Sequence, residues 1–236
     1  MAMIETIKRL GGLLLDLVFP ISCINCGRDG YYLCDACHDK LDKLGQQQCL
    51  VCQKPSPFGK THPDCVTRNT VDGAIAALNH KDPKVGSIIR TFKYNFVSSL
   101  SKPLAELIVA MIKREGLENY FGHFIIIPVP LHNRRFNWRG FNQAELLGRA
   151  LAEELHILVD TGLVMRQKFT VPQTTLNAEA RKRNIENAFS LLGDATDKKF
   201  LIIDDVVTSG STANELAKLL KSKKATEIWL ATAAHG

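Results

Sequence analysis

Apolar runs alternate with amphipathic stretches along most of the chain. Val71–Asn79, Phe124–Val129, Leu163–Gln167, Ala188–Leu192, Phe200–Asp204 and Glu227–Thr232 are short, largely apolar and bounded by polar or turn-forming residues, which predicts strands. Between them, Lys84–Phe92, Lys102–Arg114, Ala144–Leu155 and Ala213–Lys221 read as helices. Strands alternating with helices predict a mostly parallel sheet covered on both faces, an α/β architecture. Residues 3–18 read as an amphipathic helix with Ile4, Ile7, Leu10, Leu14 and Leu17 on one face. Its plain role is packing on the main domain, and docking to a membrane surface or a partner is the alternative. Phe169–Asn187 is polar, basic and poorly periodic, and reads as a mobile loop with a helical turn.

One apolar run ends in an unusual way. After Lys199-Phe200-Leu201-Ile202-Ile203 come two adjacent acids, Asp204 and Asp205, then Val206, Val207 and the loop Thr208-Ser209-Gly210-Ser211-Thr212, directly before a helical pattern. Small hydroxyl residues and a glycine opening a helix present N–H and O–H donors to an anion, aided by the helix dipole. The two acids repel such an anion, but suit a neighbouring polyol as acceptors from a pair of ribose hydroxyls. A ribose 5-phosphate site is the chemical reading. Solvated acids at a strand end, with an ordinary helix cap at Ser209 or Ser211, are the alternative. The whole run is similar to the phosphoribosyl pyrophosphate signature of type I phosphoribosyltransferases.

In a parallel sheet, ligands bind at the carboxyl ends of strands. A second strand-end loop, Leu131–Gln143, carries Arg134, Arg135 and Arg139. Guanidinium forks bind phosphate oxygens bidentately, so these three are candidates for holding a pyrophosphate. A nucleic-acid patch with Trp138 and Phe141 interleaved, or a solvated basic loop, would give the same residues. Lys93 and Tyr94 follow a predicted helix and are placed near the site as a weaker expectation.

The amino-terminal part follows different rules. All seven cysteines lie in the first 65 residues, six of them as Cys23-x-x-Cys26, Cys34-x-x-Cys37 and Cys49-x-x-Cys52. A C-x-x-C knuckle turns both sulfurs toward one ion, and two knuckles complete a tetrahedral zinc site. Cys23, Cys26, Cys34 and Cys37 form one such set. Cys49, Cys52, His62 and Cys65 form a second, with His62-x-x-Cys65 replacing the fourth C-x-x-C. Disulfides and redox chemistry are the competing readings; an odd cysteine count and three clustered pairs favour metal. Four protein ligands leave no open position, so both zinc ions are expected to be structural.

Composition adds little. The 236 residues carry a formal charge of +6, which allows phosphorylated ligands or nucleic acid and proves neither. The apolar stretch Leu13–Phe19 is short and holds Asp16, so neither stable membrane insertion nor a secretory signal is expected. Lys218–Lys224 is a further basic cluster, able to meet nucleic-acid phosphates.

These pieces together resemble the ComF family, that is, ComFC-type competence proteins and their GntX-like relatives. The resemblance runs from Phe19-Pro20-x-x-Cys23-x-x-Cys26-Gly27 through Leu33-Cys34-x-x-Cys37, Cys49-x-x-Cys52 and Phe92-Lys93-Tyr94. It continues through Pro128-Val129-Pro130-Leu131, Arg139-Gly140-Phe141-Asn142-Gln143-Ala144, Gln173-x-x-Leu176 and Phe189 to the Asp204–Thr212 run. It implies a type I phosphoribosyltransferase-like domain over residues 70–236, with a small double zinc-ribbon module over 21–68 after a helix within 1–20. It also implies phosphoribosyl pyrophosphate (PRPP) or a related ligand with Mg²⁺, held by Asp204, Asp205 and Val206–Thr212. A cytoplasmic location and, in transformable bacteria, a part in handling imported single-stranded DNA follow from the same resemblance; docking of DNA-uptake proteins such as a helicase through the 3–18 helix is a competing reading. Reuse of the fold for nucleic-acid binding or partner docking without catalysis remains the alternative. The sequence shows no acceptor pocket. His62 departs from the fullest family pattern, where a cysteine stands.

Overall fold

The computed structural model describes residues 21–94, 97–170 and 178–236. The expected helix 3–18 and the loop residues Gln173, Leu176 and Asn177 lie outside them. The chain divides into two compact units, one ending at Leu41 and one running from Asp42 to Gly236.

In the first unit a hairpin-like turn pairs Ser22 with Asp29, and the one-turn helix α1 (Asp35–His38) follows Cys34. Regular helix there is confined to Asp35–His38.

The second unit is built on a five-stranded parallel sheet. Its strands are β1 (Gly73–Asn79), β2 (Ile125–Pro128), β3 (Leu158–Val159), β6 (Lys199–Val207) and β7 (Glu227–His235), in the order β1-β7-β6-β2-β3. β4 (Val164–Arg166) and β5 (Phe189–Leu191) were expected to join that sheet and instead form a separate antiparallel pair. β3 had no legible signal, being two residues long. The helices are α2 (Pro83–Tyr94), α3 (Ser101–Arg114), α4 (Glu118–Phe121), α5 (Asn133–Arg139), α6 (Gln143–Leu155), α7 (Ala178–Ile185) and α8 (Ser211–Ser222).

Strand alternation divides β6 between two faces. Phe200 and Ile202 join Ile228 and Leu230 in an apolar cluster with Ala213, Leu216, Ala217 and Leu220 of α8. Ile203 faces α6 instead, where a Cβ on Gly148 would lie 3.8 Å from its side chain and 3.1 Å from Ile126. Burial on both faces explains why β6 and β7 read as continuous apolar runs.

The segment from Asp42 to Cys65 lines the outer side of β1. Lys43 pairs with Leu78 and Lys60 with Gly73, both antiparallel. Between them the buried Gln47 amide donates to the Ala76 carbonyl and accepts from the Ala76 N–H, each at 3.0 Å, in place of a peptide group. Gly59 has φ +73, and a Cβ there would sit 2.0 Å from the Ala74 carbonyl oxygen, so only glycine permits this approach.

Candidate phosphoribosyl site and metal centres

From β2 the chain passes through α5 and α6 to β3, while from β6 it passes through α8 to β7 on the other side. β2 and β6 are neighbours, so their carboxyl ends form the switch point where a crevice opens. A cavity of about 400 Å³ lies there, lined by Lys93, Tyr94, Arg135, Trp138, Arg139, Arg166, Asp204 and Asp205 among others. A smaller cavity, about 40 Å³, is lined by Thr208, Ser209, Gly210, Ser211 and Ala213. Asp204, Val206 and Thr212 line both, which makes the two cavities adjacent.

The two acids have different partners because alternation sends them to opposite faces. Asp205 is 6% exposed and pairs with Lys93 Nζ at 3.0 Å. Burial alone would lower the Lys93 ammonium, but Asp205 and then Asp204 overcome it and hold that group above its usual range. The Asp204 carboxyl is pushed up to about 7 by burial first and the neighbouring Asp205 charge second, with Lys93 and Arg166 pulling the other way. Its Oδ1 accepts the Asp205 N–H at 2.9 Å.

Gly210, at φ +69, supplies the left-handed turn that starts α8 and, lacking a side chain, brings no cap of its own to the helix amides. Ser209 and Ser211 hydroxyls lie 2.9 Å apart. A 12-residue helix whose amino terminus opens on a glycine and is fronted by hydroxyls favours an anion.

The expected arginine loop is largely helical, as α5. Of its three arginines the structure brings two to the cavity. Arg135 donates to the Thr170 carbonyl at 2.8 Å, and its pKa is lowered by burial and by Arg139. Arg139 donates to Gln143 Oε1 at 3.0 Å, and its guanidinium lies 5.0 Å from the Tyr94 ring and 6.0 Å from the Trp138 ring. Arg134 is turned elsewhere, 5.3 Å over the Phe169 ring. Asn142 caps α6 by accepting the Ala144 N–H, and its own amide donates to the Val129 carbonyl, which fixes the start of α6 at the cavity wall.

Arg166 was not anticipated. It is 8% exposed, donates to Thr170 Oγ1 and lies over the Phe189 ring. Burial first, and Arg135 second, pull its pKa down to about 10. The Nε atoms of Arg139 and Arg166 are both buried without a hydrogen-bond partner among the described residues. Four cations thus face two carboxylates across one cavity, and two of the cations hold unused donors. Such a site calls for an anion. Arg183 and Asn184 lie on α7; neither lines these cavities.

Both predicted metal sets converge. In each, one ligand atom per residue lies within 4.8 Å of every other. A tetrahedral zinc with Zn–S bonds of about 2.3 Å places sulfurs roughly 3.8 Å apart. Cys26 and Cys34 sulfurs stand 3.6 Å apart, and Cys52 Sγ lies 3.3 Å from His62 Nδ1. Burial would raise Cys23 and Cys49, yet peptide N–H donors, from Cys34 and from Cys52 and His62 respectively, bring them down to about 6 and about 7. Cys37, by its hydrogen bond with Cys26, and Cys65, by burial, are pushed the other way, to about 12 and about 11, so the fit to structural zinc rests on four converging ligands with no open position. His62 therefore stands where a fourth ligand is needed.

Among known domain families, the double zinc ribbon domain matches residues 14–66 and the phosphoribosyl transferase domain matches residues 143–236. DNA utilization protein YhgH of Escherichia coli K12 is 35% identical over 208 residues, 84% of this chain and 88% of that protein. The chain belongs to the ComF family. Other members similar to it are competence protein F of Haemophilus influenzae, 29% identical over 89% of this chain and 95% of that protein, and competence protein ComFC of Bacillus subtilis, 25% identical over 81% and 78%. This ComF protein thus joins structural zinc ribbons to a phosphoribosyltransferase-like fold. Among its described residues no helix is long and apolar enough to cross a membrane.

Proposed function

We propose that this ComF protein binds phosphoribosyl pyrophosphate with Mg²⁺ in the crevice between β2 and β6, and acts in the cytoplasm in the uptake or use of DNA. One observation carries the ligand reading. Two carboxylates at the end of β6 stand between the glycine-led, hydroxyl-lined start of α8 and a set of four cations. The amides and hydroxyls of Thr208–Thr212 suit a 5-phosphate, Asp204 and Asp205 suit the ribose hydroxyls, and Arg135, Arg139 and Arg166 suit a diphosphate. Mg²⁺ bound with the ligand would offset charge on the diphosphate. The role in DNA uptake or use rests on the names of the relatives, competence protein F and DNA utilization protein YhgH.

Calorimetric titration of PRPP with Mg²⁺ into the zinc-loaded chain, beside Asp204→Asn/Asp205→Asn, tests the ligand reading. Saturable binding that the double variant loses supports it. No heat from the folded wild-type protein overturns it.

A second ligand, single-stranded nucleic acid on the same face, is favoured by one feature. Tyr94 and Trp138 are 41% and 59% exposed, 6.3 Å apart, with the Arg139 guanidinium over both rings. Exposed rings beside a guanidinium form a stacking platform for bases. Binding of an oligothymidylate that quenches tryptophan fluorescence, weakens as salt rises and fails in Trp138→Ala would support it. Salt-independent binding, or none, would count against it.

A further inference from the structure

The second metal set reaches the phosphate loop through one residue. Leu50 lies inside the Cys49-x-x-Cys52 knuckle, is 3% exposed, and belongs to the same apolar cluster as Val207 and Ala213 on either side of the loop. A Cβ built on Gly210 would stand 2.6 Å from both Cγ and Cδ2 of Leu50. The knuckle's one apolar side chain facing this cluster therefore fills the space directly beneath the turn that starts α8. A second tie lies beyond Cys65. Asn214 of α8 accepts the Val71 N–H at 3.1 Å, and Lys221 of α8 donates to the Thr70 carbonyl and the Asp72 carboxylate. The metal-bearing segment and the chain directly after it thus meet α8 at both of its ends.

We propose that the second zinc site is a positioning element of the phosphoribosyl site. The ion fixes the backbone of Cys49–Cys52, this fixes Leu50, and Leu50 fixes Gly210 and the amide N–H groups that follow it. Leu50 is the positioning residue; it touches no ligand. Emptying the second site releases the loop and weakens anion binding there, whereas emptying the first site does not. The ligand part of this inference rests on the phosphoribosyl reading.

Hydrogen exchange on the full zinc-loaded chain tests the coupling without any ligand. Leu50→Ala, Leu50→Met, Cys52→Ser and, as a control on the first site, Cys26→Ser are compared with wild type, with zinc content measured for each. Exchange at residues 207–214 should rise about tenfold or more in Leu50→Ala and Cys52→Ser while Ile125–Pro128 stays protected. Leu50→Met, close in volume, and Cys26→Ser should leave the loop near wild type, and Leu50→Ala should retain its zinc. In parallel, PRPP affinity should fall about tenfold in Leu50→Ala and stay within about twofold in Leu50→Met. Unchanged loop exchange in Leu50→Ala, or exchange that rises equally in β2, overturns the coupling. Wild-type protein that binds no PRPP but shows the loop-specific exchange would overturn the phosphoribosyl reading and leave the coupling standing.

Discussion

Replacing Asp204 with Asn should stabilise the ligand-free protein above about pH 4, by an amount that grows up to about pH 7 and then stays constant. Asp204 titrates near 7 in the fold and near 3.8 as a free side chain, because burial and the Asp205 charge disfavour its ionised form. The gap between the two values amounts to about 4 kcal/mol at 1.36 kcal/mol per pH unit. Asp204 opens on the cavity and is partly exposed, so water there reduces the figure to about 1–3 kcal/mol. The sign follows from which state holds the proton. Between about pH 4 and 7 the folded protein keeps it and the unfolded chain does not, so wild-type stability falls as pH rises through this window. Asn is neutral throughout and keeps an Oδ1 to accept the Asp205 N–H, the bond that Asp204 makes at 2.9 Å. Urea unfolding of both proteins at pH 4, 6 and 8, with zinc held constant, measures the difference. The two should unfold alike at pH 4, and the variant should be more stable by about 1–3 kcal/mol at pH 8. Effects of pH on the thiolates are common to both and cancel. A difference independent of pH, or a less stable variant at pH 8, refutes the reasoning.

Lys93→Met removes the cation 3.0 Å from the buried Asp205 and should destabilise the fold by about 3 kcal/mol, read as a lower urea midpoint at unchanged slope. Arg166→Met should do the opposite to stability and harm to binding: a buried guanidinium with an unused Nε disappears, so the melting temperature holds or rises, while PRPP affinity drops about tenfold or more in calorimetry. Metal analysis of the intact chain should give two zinc ions, and Cys26→Ser should give one. A single ion in wild type would remove one of the two centres.

The parts of the site that were legible in the sequence are those whose chemistry is contiguous. Asp204–Thr212 carries acids, turn and helix start within nine residues, and β6 is buried on both faces, so its apolar run is unbroken. The metal ligands were legible because knuckle spacing is itself the geometry. Arg166 was not, since a lone arginine after Val164 and Met165 looks like the solvent side of a strand, and only the packing of β4 and β5 turns it inward. α5 was read as a loop because seven residues with no buried position give no apolar period. The separation of Arg134 from Arg135 and Arg139 is likewise a property of the helix: consecutive residues point about 100° apart, so not all three can face one cavity. β4 and β5 misled because a short apolar run does not say which sheet it joins.

Gln47 and its neighbours have a consequence for how the protein fails. β1 is a border strand whose seven residues, Gly73–Asn79, are nearly all buried, and its open side is occupied by the chain from Lys43 to Lys60 that also carries Cys49 and Cys52. Without metal to fold that segment, an uncharged, apolar border would be left with unpaired peptide groups, the template from which chains add to one another. Zinc starvation would then act on this protein first as a loss of solubility, with self-association appearing before any defect in the distant core strands.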